Sequence, residues 1–216
     1  MQPLDISNYI AAQLHNFFPN LDLRKKDIEI IEHVLPMVKE RYRYCASKNM
    51  MLNGALEVDF FDIRKYPIFL YFLYHTIHKL SLDDEYRIKD RLYCLNKYLH
   101  GCSLFYKIDL PRVFFITYAS QIILAKTTYG ENLVFYHGVT VGTYKDKVPT
   151  IGSNVVLMPN VIISGSSIVG DNVVISTGVR VINQTVPNNK VVFQGERNSL
   201  VFKDNDGSCI RSFLCV

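Results

Sequence analysis

The chain has 216 residues, of which 49% are apolar and 20% are charged, and its formal net charge is +4. This apolar content is enough for one compact domain or two small ones, and it excludes a disordered chain. The weak positive charge allows an anionic cofactor but gives no case for a nucleic-acid-binding protein, which would show a clustered basic face.

The cysteines and the apolar runs indicate the expected compartment. The five cysteines are odd in number and include no CxxC pair, which favours a reducing cytoplasm over a disulfide framework. The N-terminal residues MQPLDISNYI lack the basic and apolar regions of a signal peptide. The most apolar run, PIFLYFLYHTI at 67–77, is too short to span a bilayer, so we predict a buried helix and no integral membrane segment.

Residues 1–110 are predicted to form a helical N-terminal domain. From Ile28 to Cys45 apolar residues recur at helical spacing, and a later amphipathic stretch ends at Gly101, a residue that commonly terminates helices. His75 and His78 lie three residues apart within the apolar helix. With no carboxylate or cysteine close by in the sequence, packing is favoured over a metal site.

After Pro111 the apolar period changes to six residues. Glycine, serine, asparagine and threonine follow the aliphatic positions, which are Ile151, Leu157, Ile163, Val169, Ile175 and Val181. The same period extends backwards through Ile123, Tyr129, Phe135 and Val141. The step from Val141 to Ile151 is longer by an insertion, TYKDKV at 143–148, which predicts a loop projecting from the repeat.

A period of six predicts a hexapeptide β-helix, in which short strands turn a corner and stack on their equivalents in the next coil. The aliphatic side chain points into a dry interior, and small residues follow because the corners are tight. Residues 111–203 give about three to four coils of three hexapeptides each, followed by a C-terminal tail at 204–216. The predicted fold class is α+β, with an N-terminal helical domain followed by a parallel β-helix.

The stretch 116–201 resembles the hexapeptide acyltransferases, above all the serine acetyltransferase branch and its relatives in surface-polysaccharide clusters. The similarity lies in the repeat and in the elements VTVG, PTIG and PNNKVVFQGERNSLV. The resemblance implies a left-handed β-helix and a homotrimer. It also implies that acetyl-coenzyme A (acetyl-CoA) binds between two subunits, without a metal.

Two histidines of the serine acetyltransferases are replaced in this chain. The resemblance places a histidine of the first coil at Tyr118, and a second one just before Pro149, where this chain has Val148. His137 stands where those relatives usually have glutamine. The catalytic histidine is therefore either relocated to position 137 or absent.

His137, in the run FYHGVTVG, is the candidate general base. An imidazole can take the proton of an attacking hydroxyl and return it to the leaving thiolate, while backbone N–H groups at a glycine-containing corner stabilise the oxyanion. The alternative is a structural histidine. We assign acceptor binding to Tyr118 and Tyr136.

Coenzyme A requires basic side chains for its phosphates, and hydroxyls or exposed backbone for its pantetheine arm. The candidates are Gly142, Lys145, Lys147, Ser164, Gly165, Ser176, Thr177, Arg180, Lys190, Arg197 and Lys203. Arg197, within GERNSL, best fits the C-terminal position of the family. For each residue the alternative is a solvated charge or a tight corner.

Together these features predict an acetyl-CoA-dependent O-acetyltransferase. Because both histidines of the serine enzymes are missing, we expect the acceptor to be a sugar hydroxyl in the cytoplasmic synthesis of a surface polysaccharide. The alternatives are a serine O-acetyltransferase of cysteine biosynthesis, an amino-sugar N-acetyltransferase, or a trimeric scaffold without activity. A zinc carbonic anhydrase would need three histidine ligands, and the repeat half has one.

Overall fold

The computed structural model describes residues 5–19, 24–52, 57–82 and 87–215. They form an N-terminal group of helices and a parallel β-helix. The helices are α1 (Ile6–Phe17), α2 (Arg24–Ser47), α3 (Tyr66–Lys79), α4 (Ile88–His100) and, near the C-terminus, α5 (Ser208–Arg211).

Helix α3 lies at the centre of the helical part and packs against both α2 and α4. It is buried from Tyr66 to Ile77, which explains why its sequence is apolar on every face. Helix α4 ends at Gly101, whose φ of 64° is the left-handed conformation expected after a helix. The predicted buried helix at 67–77 and the predicted helix end at Gly101 are both confirmed. Within the described ranges, no helix is long and apolar enough to cross a membrane.

The β-helix is built from strands of two to five residues. In chain order they are β1 (Cys102–Leu104), β2 (Phe114–Ile116), β3 (Ile122–Leu124), β4 (Thr128–Tyr129), β5 (Leu133–Phe135), β6 (Thr140–Gly142), β7 (Thr150–Ile151), β8 (Val155–Leu157), β9 (Ile162–Ser164), β10 (Ile168–Val169), β11 (Val174–Ile175), β12 (Arg180–Ile182), β13 (Thr185–Val186), β14 (Lys190–Gln194) and β15 (Leu200–Asp204). Pairing is parallel throughout except between β14 and β15, which form an antiparallel hairpin.

Successive strands visit three sheets in turn. Sheet I has the order β1-β3-β6-β9-β12, sheet II has β13-β10-β7-β4, and sheet III has β15-β14-β11-β8-β5-β2. The turns between them stack into three edges, named here by the sheets they join: the III–I edge, the I–II edge and the II–III edge. The five parallel strands of sheet III give about five coils. The repeat count predicts fewer, because the first coil has little hexapeptide signal.

One row of side chains from each sheet fills the interior. The row of sheet III consists of Ile116, Phe135, Leu157, Ile175 and Val192, and each of these side chains is fully buried. The hexapeptide β-helix predicted from the sequence is confirmed.

The inward position of β3 differs from the prediction. Ile123 is 52% exposed on the outer face of sheet I, while Leu124 pairs with Val141 and points inwards. The turn from Leu124 to Tyr129 is one residue shorter than the repeat. Counting back by six from Tyr129 therefore selects the wrong residue of this strand.

Glycines allow the coils to approach closely at the II–III edge. A Cβ added to Gly152 would lie 2.6 Å from the backbone carbon of Gly170, and one added to Gly130 would lie 2.4 Å from that of Gly152. Asparagines with positive φ complete these turns, and the Asn132 amide donates to the side chain of Asn154 at 2.8 Å. Asparagine tolerates this conformation better than most residues, so the sequence favours these corners locally.

The C-terminal tail returns along the outer face of sheet III to the helical part. The side chain of Asn205 donates to the carbonyl of Asn172 at 2.9 Å, and α5 then packs against β8. The backbone N–H of Met50 donates to the carbonyl of Phe213, and that of Cys215 donates to Lys48, both at 2.8 Å. The tail therefore links the last coil to the helices.

We predict that Gly152→Ala lowers the free energy of unfolding by about 1–3 kcal/mol, because its Cβ would overlap the backbone of the next coil. Gly142→Ala is the matched control, since a Cβ there would meet only a Thr140 methyl group at 3.9 Å. Urea denaturation followed by circular dichroism measures both variants. Equal stabilities of the two variants would contradict the close approach of the coils.

Candidate active site

His137 lies in the turn of the III–I edge that follows β5. The backbone N–H of Gly138 donates to the carbonyl of Ser120 in the preceding coil, and that of Asn160 in the next coil donates to the carbonyl of His137, both at 3.0 Å. Gly138 has a φ of 69°, and a Cβ there would lie 2.1 Å from the side-chain oxygen of Asn160. The turn is thus fixed from both sides, and the imidazole is partly exposed. Because the Gly138 N–H is already bonded, it is not free to stabilise an oxyanion.

The stacking of coils brings Tyr118 next to His137. Ile116 pairs with Phe135, so the residues two positions further on occupy equivalent places in adjacent turns. The two rings meet edge to face, with centroids 6.2 Å apart. The imidazole thus lies one coil away from Tyr118, the position where the resemblance places a histidine, and on the same edge.

Some of the other predicted residues share this edge. Ser176 and Thr177 lie two coils further along the III–I edge, since β5, β8 and β11 pair in register. Parallel strands are about 4.8 Å apart, so this places them about 10 Å from the His137 turn. Tyr136 directly precedes His137, and its ring lies 6.0 Å from that of Phe213.

A second set of predicted residues lies at the I–II edge. The insertion 143–148 forms the expected exposed loop, held by reciprocal backbone hydrogen bonds between Tyr144 and Lys147 at 3.0 and 3.1 Å. The ammonium of Lys145 lies 5.5 Å from the centre of the Tyr144 ring. Gly142 pairs with Ser164 at the end of sheet I. The width of sheet I separates this loop from His137 within one chain.

The remaining basic candidates are more scattered. Lys190 forms an ion pair with Asp204 at 2.6 Å, and the ammonium of Lys203 lies 5.2 Å from the centre of the Phe193 ring. Arg197 occupies the turn of the same β14–β15 hairpin, with a φ of 50°. Arg180 projects from the exposed outer side of β12, and Gly165 lies in the turn that follows β9.

A pocket of about 300 Å³ lies beside the III–I edge, between the helical part, sheet III and the C-terminal tail. We call it the edge pocket. Its lining consists of Met51, Ile63, Arg64, Phe115, Thr117, Tyr118, Tyr136 and Phe213. Sequence reasoning found only the two tyrosines. The other residues precede the repeat, end the chain or lie in the first coil, where no hexapeptide pattern marks them.

His75 serves the packing of the helical part, as its sequence context favours. It is 5% exposed, and its ring nitrogens lie 3.1 Å from Arg41 and 3.0 Å from Asp109. Burial lowers its pKa to about 4. Across the described ranges, no three histidine, cysteine or acidic side chains are grouped so that they could hold a metal ion.

Comparison with known proteins shows which proteins share this fold. Residues 149–183 match the family model described as "Bacterial transferase hexapeptide (six repeats)". No curated protein matches the chain. Its architecture is that of the hexapeptide-repeat β-helix proteins with an N-terminal helical part.

Among solved structures, the chain is similar to serine acetyltransferases. That of Neisseria gonorrhoeae aligns with a TM-score of 0.72 and 17% identity, over 98% of this chain and 84% of its own. The complex of the same enzyme with serine aligns with a TM-score of 0.70 and 18% identity, over 90% of this chain and 84% of its own. The serine acetyltransferase of Brucella abortus strain S19 in complex with coenzyme A aligns with a TM-score of 0.64 and 19% identity, over 94% of this chain and 84% of its own.

Proposed function

We propose that this protein is an acetyl-CoA-dependent O-acetyltransferase with His137 as its general base. The observation that supports the proposal most is the position of the imidazole. It lies partly exposed on the III–I edge, against the ring of Tyr118 and beside the edge pocket. Similarity in fold to enzymes solved with coenzyme A and with serine supports the same reaction class.

The proposed chemistry transfers one acetyl group and one proton. A ring nitrogen of His137 takes the proton of the acceptor hydroxyl as its oxygen bonds to the thioester carbonyl carbon. The tetrahedral adduct then collapses, the carbon–sulfur bond breaks, and the imidazolium returns the proton to the leaving thiolate. The products are an acetyl ester and free coenzyme A. An imidazole suits both proton transfers because its pKa lies near neutral pH.

L-serine is the leading acceptor, since serine acetyltransferases recur among the structural matches. These matches favour a serine O-acetyltransferase over the polysaccharide acceptor that the two missing histidines suggest. The sugar hydroxyl stays as the second candidate, because four aromatic rings line the edge pocket and aromatic rings suit the apolar faces of a sugar ring.

Coenzyme A is proposed to bind along the I–II edge, where the exposed loop offers Lys145 and Lys147 and the neighbouring turn offers Ser164 and Gly165. One chain has its imidazole and this loop on opposite sides of sheet I. A donor groove between two subunits, as the resemblance implies, would allow the loop of one chain to approach His137 of another. The proposal therefore includes a homotrimer.

The outer faces of sheets I and II support self-association. Ile123 and Ile168 are 52% and 51% exposed, and Ile182 is 40% exposed. Such side chains on a flat face are stabilised when another copy covers them. Acetylation in the cytoplasm, by a protein without an integral membrane segment, completes the proposal.

We expect His137→Ala to reduce kcat about 100- to 10,000-fold, because it removes the general base. His33→Ala, which removes an exposed histidine of α2, should leave kcat unchanged. Thiol release from acetyl-CoA is measured with L-serine, nucleotide sugars and oligosaccharides as acceptors. Full activity of a folded His137→Ala variant would show that the base lies elsewhere.

We expect the protein in solution to have three times the mass of one chain. Ile123→Asp should lower this mass, because a carboxylate would be buried in the interface. Leu80→Asp, at an exposed apolar position after α3, is the control. Light scattering coupled to size-exclusion chromatography measures all three proteins. A monomeric wild type would contradict the trimer.

A further inference from the structure

A second cavity, of about 320 Å³, lies between α2, α3 and the segment that links β1 to β2. We call it the helical pocket. It shares no lining residue with the edge pocket. Its α2 residues follow one another at spacings of three and four, so one face of this helix forms a wall of the pocket. Its charged lining residues are Glu40, Arg41 and Arg112.

Neutral groups hold Arg41 in the wall of the helical pocket. Its Nη1 donates to Oγ1 of Thr76 at 2.9 Å and lies 3.1 Å from Nδ1 of His75. Nε2 of His75 lies 3.0 Å from Asp109, and burial lowers the pKa of this imidazole to about 4. The imidazole is therefore uncharged at neutral pH, so its Nε2–H donates to the carboxylate and its Nδ1 accepts from the arginine. The guanidinium also lies over the ring of Phe72, 4.7 Å from its centre.

The other edge of the Arg41 guanidinium has no protein partner. Both of its printed hydrogen bonds use Nη1, and among the described residues nothing bonds to Nε or Nη2. Neither nitrogen is a fully buried unpaired atom, so both remain accessible from the pocket side of the molecule. Nε and Nη2 form a fork that matches the two oxygens of a carboxylate. Burial lowers the pKa of Arg41, because a half-buried cation without a counter-charge is destabilised, and a bound anion would offset this cost.

Arg112 supplies a second unpaired guanidinium. It lies over the ring of Tyr44, 4.3 Å from its centre, and forms no ion pair with the described residues. Glu40 is the acidic side chain of the described lining, and it is exposed and pairs with neither guanidinium. The nearby carboxylate of Asp109 is already paired with Lys79 at 2.7 Å. The two guanidiniums and one carboxylate of the lining have a net charge of +1, which a ligand with a single negative charge balances.

The rest of the lining is apolar and favours a ligand with an apolar body. Phe72 and Leu110 are buried, with 1% and 7% exposure, while Met37 and Tyr44 are 37% and 40% exposed. The cavity is therefore apolar in its depth and open on the side of α2. A concave apolar surface with a few convergent polar groups is the usual form of a small-molecule site. Its volume of about 320 Å³ exceeds what a bare carboxylate group fills.

We propose that the helical pocket binds a small monocarboxylic acid with an apolar or aromatic body. Its carboxylate binds between Arg41 and Arg112, and its body packs on Met37, Tyr44 and Leu110. This ligand is neither the acetyl donor nor the acceptor, because the pocket shares no residue with the III–I edge or with the loop at 143–148. The inference thus goes beyond the proposed function and does not depend on it.

The first test uses isothermal titration calorimetry of the full chain with three probes. Phenylacetate should bind, and 2-phenylethanol, which has nearly the same shape without the charge, should bind at least about 10-fold more weakly. Inorganic phosphate should also bind at least about 10-fold more weakly, since it lacks an apolar body. Glu40→Gln should tighten phenylacetate about 2- to 5-fold by removing a like charge from the lining. Glu32→Gln, at an exposed acid of α2 outside the pocket, is the control.

The second test removes the two cations. Arg112→Met should weaken phenylacetate about 10- to 100-fold and leave the midpoint of thermal unfolding unchanged, because this exposed side chain has no hydrogen bond to lose. Arg41→Met should weaken the ligand equally and also lower the midpoint, since it leaves Nδ1 of His75 without a donor. Arg43→Met, which removes an exposed arginine of α2 paired with Glu57, should leave phenylacetate binding unchanged.

The outcomes decide the proposal without any measurement of acetyl transfer. Binding of phenylacetate that is lost in Arg112→Met and retained in Arg43→Met supports the site. Binding that persists in both pocket variants would place the acid elsewhere and overturn the site. Equal affinity for 2-phenylethanol or phosphate would overturn the class of ligand, and so would a lack of phenylacetate binding. Because calorimetry requires no turnover, an inactive enzyme would refute the proposed function and leave this test intact.

Discussion

The closed interior of the β-helix is the constraint on which the other features depend. Each parallel strand contributes an inward side chain, and neighbouring coils stack at the spacing of parallel strands, about 4.8 Å. The strands must therefore be short and the turns must superimpose. Where successive turns have equal length, each residue in a turn then has an equivalent in the adjacent coil. This is why Tyr118 and His137, on different coils, become neighbours at one edge.

Stacked turns of this kind give several nearly equivalent positions for one functional group. Moving an imidazole from the Tyr118 position to position 137 changes its location by about one coil spacing and leaves the backbone path intact. The hydrogen bonds that hold the His137 turn run through backbone atoms of Ser120 and Asn160, and they are independent of the imidazole. Under the proposed function, the III–I edge thus keeps an imidazole within one coil of the position that the resemblance assigns to a histidine.

The sequence predicted the features that have a local pattern and missed those that depend on packing between distant parts of the chain. The six-residue period was sufficient for the β-helix and for the loop at 143–148, because each inward aliphatic is a local requirement of its own strand. Ile123 was misplaced since a single shortened turn shifts the count. Arg64, Thr117 and Phe213 were missed as pocket residues because their proximity arises from the packing of three separate parts of the chain. No local pattern encodes that packing.

The return of the C-terminal tail has a consequence for the order of folding. The wall formed by Phe213, and the hydrogen bond from the Met50 N–H to the Phe213 carbonyl, join parts of the chain that lie far apart in the sequence. Contacts between such distant residues cost more loop-closure entropy than the contacts between successive coils. A chain that has formed its helices and coils but not this contact therefore has a folded scaffold with an open cleft in place of the edge pocket.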